Sequence, residues 1–67
     1  MISIQLNGET YSVSPATTLA QLVDQLALSQ KRIAVELNGA IVPRSQHSHT
    51  VLTAADTVEI VTAIGGG

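Results

Sequence analysis

Alternating apolar and polar residues at the start of the chain predict a β-hairpin. Residues 2–6 alternate isoleucine or leucine with polar side chains, as a half-buried strand does. The pair Asn7-Gly8 follows, and this pair favours the type I′ turn of a hairpin. Residues 10–13 alternate again and form the return strand, which Pro15 ends because proline cannot donate to a ladder.

The next pattern has a helical period. Thr18 and Gln21 fit a capping box, in which each side chain bonds to the backbone of the other residue. Four apolar residues then share one helix face: Leu19, Leu22, Val23 and Leu26. We expect this helix to end near Leu28-Ser29, with Lys31 and Arg32 favourably placed at its negative end.

Strand patterns return in the second half of the chain. Residues 33–37 alternate, Asn38-Gly39 is a second tight turn, and residues 40–42 form a short strand that Pro43 stops. Residues 44–55 are polar and irregular, with Val51-Leu52 as the expected anchor into the core. A last strand begins after Asp56 and has Val58 and Ile60 facing inward.

The order of these elements predicts the fold. One helix between two pairs of strands must pack its apolar face on a single side of the sheet, and the first and last strands are the most apolar. We therefore expect these two strands to lie side by side in the middle. The predicted class is α+β, a ubiquitin-like β-grasp with a mixed β-sheet packed on one main α-helix. The domain spans residues 1–64, and residues 65–67 form a flexible C-terminal glycine tail.

Composition narrows the possible functions. With 67 residues, nearly every apolar side chain is needed for the core, so a pocket of about 300–1,000 Å³ and a self-contained enzyme are not expected. Three Lys+Arg, a net charge of −2 and one aromatic residue disfavour nucleic acid. No apolar run is long enough to span a membrane, and cysteine is absent. These features favour a mature cytoplasmic protein.

Few residues form a candidate site of their own. His47 and His49 are the only pair with metal-ligand character, but a zinc site needs three or four ligands, so we expect both histidines at the surface. Glu36 and Glu59 could approach each other across neighbouring strands, where both would be solvated. No metal and no bound cofactor are therefore predicted.

The informative feature is the terminal Gly65-Gly66-Gly67. A frayed end or a cloning remnant would be ordinary explanations. The functional interpretation is that the Gly67 carboxylate is the reactive group, activated as an acyl-adenylate by a partner enzyme. Gly65 and Gly66 would thread into the partner's active site, because a backbone without Cβ atoms can approach closely.

A second candidate is a docking surface beside the tail. Ile41 and Val61 have the parity opposite to the core positions of their strands, and Gln5 has the outward parity of the first strand. Together with Ile64, these residues form the predicted docking surface for a partner.

Three segments resemble a known family, the ThiS sulfur carriers of thiamine biosynthesis. They are Asn38-Gly39-x-Ile41-Val42-Pro43-Arg44, Asp56-x-Val58-Glu59-Ile60-Val61-x-Ala63, and the closing glycines. The resemblance extends over essentially the whole chain. A Gly-Gly ending alone is shared by ubiquitin-like proteins in general, whereas the Asn-Gly-x-x-Val-Pro-Arg segment is more specific.

The resemblance implies a carrier that is not itself an enzyme. An E1-like adenylating enzyme of the ThiF type would use ATP to adenylate Gly67, which would become a thiocarboxylate and give its sulfur to a thiazole synthase of the ThiG type. The sulfur would come from a cysteine desulfurase or a sulfurtransferase. Two other functions remain open: the small subunit of molybdopterin synthase, and a ubiquitin-like protein modifier.

Overall fold

The computed structural model describes residues 1–62, which form five strands and two helical segments. Residues 63–67 are outside the described part, and so is the predicted boundary between domain and tail. The elements in chain order are β1 (Ile2–Leu6), β2 (Glu9–Val13), α1 (Leu19–Gln25), β3 (Ile33–Leu37), β4 (Ala40–Val42), a 3₁₀ helix (Arg44–His49) and β5 (Thr57–Thr62).

All five strands belong to one mixed sheet in the order β2-β1-β5-β3-β4. β5 runs parallel to β1 and antiparallel to β3, and the two hairpin pairs are antiparallel. The predicted adjacency of the first and last strands is therefore confirmed, and the arrangement is the predicted β-grasp. β5, the strand that precedes the glycines, is the middle strand of the sheet.

The core lies between α1 and one face of the sheet. Nine apolar side chains are buried there: Ile4, Val13, Leu19, Leu22, Val23, Val35, Leu52, Val58 and Ile60. The list confirms Val58 and Ile60 in the last strand and three of the four predicted helix positions, while the fourth, Leu26, is partly buried and packs against this core. The opposite face of the sheet, called here the outer face, carries the residues of the other parity, including Ala34 and Val61.

Both predicted turns are present. Asn7 and Gly8 have φ of 50° and 85°, and Asn38 and Gly39 have 52° and 87°. Positive φ at both central residues is the requirement of a type I′ turn, which asparagine and glycine meet at low cost. Each turn joins antiparallel neighbours, β1 to β2 and β3 to β4.

Helix α1 begins as predicted but ends earlier. The Thr18–Gln21 capping box is formed in both directions, at 3.1 and 2.9 Å. The helix stops at Gln25 because Ala27 adopts a φ of 60°, and the N–H groups of Ala27 and Leu28 donate to Asp24 and Val23 carbonyls at 3.0 Å. This is a Schellman motif with alanine in the position usually taken by glycine.

The predicted helix end near Leu28-Ser29 is thus wrong, and so is the role assigned to Lys31 and Arg32. The last turn of α1 holds no basic residue. A dipole effect fades within one turn, and these two side chains follow the helix by more than that.

The segment after β4 corrects two further predictions. Residues 44–49 form a 3₁₀ helix instead of an irregular loop, and His47 is buried, with 5% exposure, instead of lying at the surface. The 3₁₀ turn brings the His47 ring back against β4, where its Nε2 lies 3.0 Å from the Val42 carbonyl oxygen. Of the predicted anchor Val51-Leu52, only Leu52 is buried in the core, whereas Val51 is half exposed. His49 is exposed as expected.

The described part of the chain contains no group of three His, Asp or Glu side chains that could hold a metal ion. Within residues 1–62, no helix has both the length and the apolar character needed to cross a membrane.

Candidate functional site

The carboxyl end of β5 is the part of the fold from which residues 63–67 follow. Here Val61 pairs with Ala34 and Thr62 pairs with Ile33, the first residue of β3. On the other side, backbone pairing with β1 stops earlier, at Leu6 and Val58. Beyond that point the end of β5 has a strand neighbour on one side only.

The side chain of Asn7 takes the place of the missing strand. The Ile60 N–H donates to Asn7 Oδ1 at 2.8 Å, and Asn7 Nδ2 donates to the Ile60 carbonyl oxygen at 3.2 Å. The Asn7 N–H also donates to the Val58 carbonyl at 2.9 Å. One turn residue therefore extends the hydrogen-bond ladder by two residues toward the end of β5.

Asn38, from the second turn, does the same at the amino end of β5. Its Oδ1 accepts from the Thr57 N–H at 2.9 Å, and its Nδ2 donates to Asp56 at 3.0 Å. Its own N–H donates to the Thr57 carbonyl at 2.7 Å. The two asparagines hold β5 at opposite ends. The turn pattern predicts their backbone conformation, but no local signal predicts these contacts to β5.

The pKa of the Asp56 carboxyl is lowered from its ordinary value. Partial burial raises the pKa of this carboxyl, but hydrogen bonds from the Thr53 backbone N–H, from Asn38 and from the Thr53 side chain outweigh burial and lower it. The Thr53 N–H lies 2.8 Å from Asp56 Oδ2. Asp56 stays ionised and stabilises the start of β5, at the end remote from the glycines.

The predicted docking residues do not all lie together. Val61 and Ile41 both point outward, with 62% and 63% exposure, and Ala34 and Glu36 of β3 lie between their strands. Gln5 pairs with Thr57, four residues before Val61 and so about 13 Å away along the sheet. The Gln5 amide donates to Thr10 Oγ1 at 3.2 Å.

Four of the predicted site residues lie outside the described residues. They are Ile64, Gly65, Gly66 and Gly67.

A pair of acidic residues adjoins the apolar part of the outer face. Glu36 and Glu59 are directly opposite each other on β3 and β5. Their approach is as predicted, although Glu36 is half-buried, whereas full solvation was expected for both. Like charges in this position destabilise a sheet, because the side chains point the same way at about 5 Å.

A shallow hollow of about 410 Å³ lies on the other side of Val61. Its lining consists of Arg32, Ile33, Ala34, Arg44 and Val61. In the sequence, both arginines contribute to the charge count, Arg32 was also assigned to the end of α1, and Arg44 is part of the family motif. No local pattern indicates that the two arginines lie together. Their convergence depends on the register between β3 and β5 and on the path of the chain after β4.

Comparisons with known proteins give one consistent family. The ThiS family model matches residues 4–67. The uncharacterized protein ycf40 of Porphyra purpurea is 39% identical over 66 residues, which are 98% of this chain and 93% of that protein. The crystal structure of the thiamine biosynthesis protein ThiS of Geobacter metallireducens superposes with a TM-score of 0.84 at 28% identity, covering 98% of this chain and 100% of that one.

A larger protein contains a similar segment. A thiazole synthase of Magnetococcus marinus is 39% identical over 66 residues, which are 98% of this chain but 20% of that protein. The chain therefore matches about one fifth of that thiazole synthase.

Proposed function

Because the chain belongs to the ThiS family of sulfur carriers in thiamine biosynthesis, we propose that the Gly67 carboxylate is the group that carries the sulfur. An E1-like adenylating enzyme of the ThiF type joins this carboxylate to the AMP part of ATP and releases pyrophosphate. A persulfide on a cysteine desulfurase or a sulfurtransferase then attacks the acyl-adenylate and displaces AMP, which forms an acyl disulfide. A thiol cleaves this acyl disulfide, so that the thiocarboxylate is released and the thiol ends in a new disulfide. The thiocarboxylate donates its sulfur to a thiazole synthase of the ThiG type.

The observation that carries this proposal is the extent of the family match, which runs through residue 67 and includes all three closing glycines. Gly65 and Gly66 have no Cβ, so they suit a segment that threads into a narrow active site. In this scheme the chain is a substrate. The catalytic groups and the ATP site belong to its partners, and the chain holds no cofactor of its own.

The thiazole synthases support the choice of the final acceptor. In Magnetococcus marinus and Paramagnetospirillum magneticum, a segment 39% or 35% identical to this chain is part of a protein named thiazole synthase. A covalent link between the two parts favours a functional association between the corresponding separate proteins. It also favours thiazole formation over molybdopterin synthesis and over protein modification.

The strand that precedes the tail is held in the sheet along its length. β5 is the middle strand of the sheet and pairs with β3 as far as Thr62, and Asn7 holds it beyond Val58, where pairing with β1 ends. A partner that binds the outer face beside Val61 therefore contacts a surface continuous with the strand that leads to Gly67. We assign docking to Val61, Ile41 and Ile64 first, and to Gln5 only for a partner that covers most of the sheet.

Intact mass spectrometry tests the proposal. The full chain is incubated with ATP, a ThiF-type enzyme and a sulfur source, and we expect a mass increase that corresponds to replacement of one oxygen by sulfur. Subsequent addition of thiazole synthase and its substrates should return the mass to its original value and yield thiazole product. Product formation with a molybdopterin synthase large subunit instead, or an isopeptide-linked conjugate, would support one of the two other functions.

Two changes at the tail serve as matched variants. Adding one alanine after Gly67 moves the terminal carboxylate one residue further from the domain. Deleting Gly67 moves it about 3.5 Å closer to the domain. Reacting atoms must align within a few tenths of an ångström, so we expect both changes to abolish ATP–pyrophosphate exchange and leave the fold intact. Normal exchange with either variant would contradict a role for the Gly67 carboxylate.

A further inference from the structure

All three lysine and arginine residues of the chain meet at the carboxyl end of β5. Lys31 and Arg32 border Thr62 in one shallow hollow, and Arg32 and Arg44 border Val61 in the neighbouring one. The three side chains, called here the rim cations, are exposed. In a chain of net charge −2, the positive charge is thus concentrated at one place.

Arg44 is bonded to the backbone of the loop that carries the other two rim cations. Its Nη1 donates to the Ser29 carbonyl at 3.0 Å, and its Nη2 donates to the Lys31 carbonyl at 2.7 Å. The planar guanidinium fixes both bonds at once and thereby ties the start of the 3₁₀ helix to the loop before β3. Since both acceptors are neutral carbonyl groups, the positive charge of Arg44 remains available to a partner.

The charge and polarity of the outer face change with distance from the rim cations. Arg32 comes just before β3 and lines the same hollow as Ala34 and Val61. Ala34 and Glu36 are the outward positions of β3 and are about 7 Å apart, so a cation, a small apolar residue and an anion succeed one another in this order. β5 repeats the last two steps with Val61 and Glu59. The surface is positive at the carboxyl end of β5, apolar in the middle and negative beyond.

The negative zone, formed by Glu36 and Glu59, is the part of this charge pattern that destabilises the sheet. Glu36 and Glu59 face each other directly, which destabilises an isolated sheet. A positive group of a partner, placed over both carboxylates, would remove this repulsion when the partner binds. The rim cations, by the same argument, match acidic groups on the partner.

We propose that this surface docks the adenylating enzyme through charge complementarity in one fixed direction. The enzyme contributes acidic groups opposite the rim cations, an apolar patch opposite Val61 and Ala34, and a basic group opposite Glu36 and Glu59. The five residues 63–67 span at most about 18 Å. The enzyme must therefore reach this end of the sheet to act on Gly67. This inference rests on the function proposed above.

Charge reversal tests the positive zone. The assay is ATP–pyrophosphate exchange by the ThiF-type enzyme, with the full chain as the varied substrate. We expect Arg32→Glu to raise the KM for the chain about tenfold with kcat unchanged, since rim charges act on association. The double variant Ser12→Glu/Ala54→Glu adds the same charge at exposed positions far from the rim and should leave KM unchanged.

A variant at Glu36 or Glu59 distinguishes docking in one fixed direction from a simple attraction between the rim cations and an acidic enzyme. Under the proposal, Glu59→Lys also raises KM several-fold. If the enzyme were only acidic, Glu59→Lys would lower KM. For the wild-type chain, KM should rise with ionic strength, and Arg32→Glu should reduce that dependence.

The outcomes are distinguishable. An unchanged KM for Arg32→Glu, an equal effect of the remote double variant, or a lower KM for Glu59→Lys would overturn this inference and leave the carrier function intact. Absence of exchange with the wild-type chain would overturn the proposed function, and this inference with it. Far-UV circular dichroism of each variant shows that the fold is retained, as expected for exposed side chains.

Discussion

Asn7 holds the end of β5 through its side chain alone, and its replacement by glycine tests this role. Glycine adopts the positive φ of residue 7 readily, so the turn is preserved while the amide is lost. The variant removes two hydrogen bonds, to the N–H and to the carbonyl of Ile60. The effect should therefore be confined to the contact between the turn and β5.

The magnitude follows from the number and place of these bonds. A hydrogen bond contributes about 0.5–1.5 kcal/mol net, so the two together are worth about 1–3 kcal/mol. Better accommodation of positive φ by glycine offsets a few tenths of this. We expect the free energy of unfolding to fall by about 1–2 kcal/mol, a large share for a domain of this size.

Asn38→Gly is the matched control, because it also removes two side-chain bonds of a type I′ turn, one to the Thr57 N–H at the start of β5 and one to the Asp56 carboxylate just before it. Urea unfolding should show a similar loss of stability for both variants. Native-state hydrogen exchange distinguishes them. In Asn7→Gly, the Ile60 amide should open locally, with an exchange free energy below that of global unfolding, whereas in Asn38→Gly it should follow global unfolding.

Equal protection of the Ile60 amide in Asn7→Gly and in Asn38→Gly would contradict this role of Asn7. A change in the free energy of unfolding of less than about 0.5 kcal/mol in Asn7→Gly, the lower limit for a single hydrogen bond, would contradict it as well. Asn7→Asp gives an independent measure. It keeps the acceptor for the Ile60 N–H but places a carboxylate oxygen near the Ile60 carbonyl, about 3.2 Å away, so intermediate protection is expected.

Four further predictions concern stability and docking. Leu22→Ala, at a fully buried position of α1, should cost about 2–5 kcal/mol in urea unfolding, and a smaller loss would mean that the helix packs loosely. Ala27→Gly should stabilise the protein by about 0.5–1 kcal/mol, because it relieves positive φ in the Schellman motif; Ala20→Gly, inside the helix, should destabilise it by a similar amount. The lowered pKa of Asp56 stabilises the fold above the unfolded-state pKa, and this stability should be lost as pH falls through the lower folded pKa; Asp56→Asn should flatten the acid limb of a stability–pH curve. Val61→Asp should raise the KM for the adenylating enzyme with an unchanged circular dichroism spectrum, and loss of that spectrum would show that Val61 belongs to the core.

Much of the fold could be predicted from local patterns. Alternation and the helical stripe identified every strand, the inward face of each one and the start of α1, because one face of each element must be apolar to reach the core. The two asparagine–glycine pairs predicted their turns, because few residues accept positive φ. The family motifs and the closing glycines predicted Gly67 as the reactive residue. These signals depend only on residues near one another in the chain.

The helix end and His47 show where local patterns fail. Ala27 takes a left-handed conformation usually reserved for glycine, so no residue in the sequence marks the end of α1. The expectation for His47 rested on missing metal ligands, which do not determine whether a ring is buried. The left-handed Ala27 is part of the local hydrogen bonding of the Schellman motif, whereas the His47 ring is buried because the 3₁₀ helix returns it to β4.

What the tertiary structure alone decided is the surroundings of β5. Asn7 reaches Ile60 across 53 positions of the chain, and Arg44 joins Lys31 and Arg32 only because the chain after β4 returns to the loop before β3. Glu36 lies opposite Glu59 through the register of β3 and β5. A shift of β5 by one residue would move Glu59 and Val61 to the other face of the sheet. The sequence by itself therefore determined the elements and predicted Gly67 as the reactive residue, whereas the pairing of distant strands determined how the end of β5 is held and which charges lie beside it.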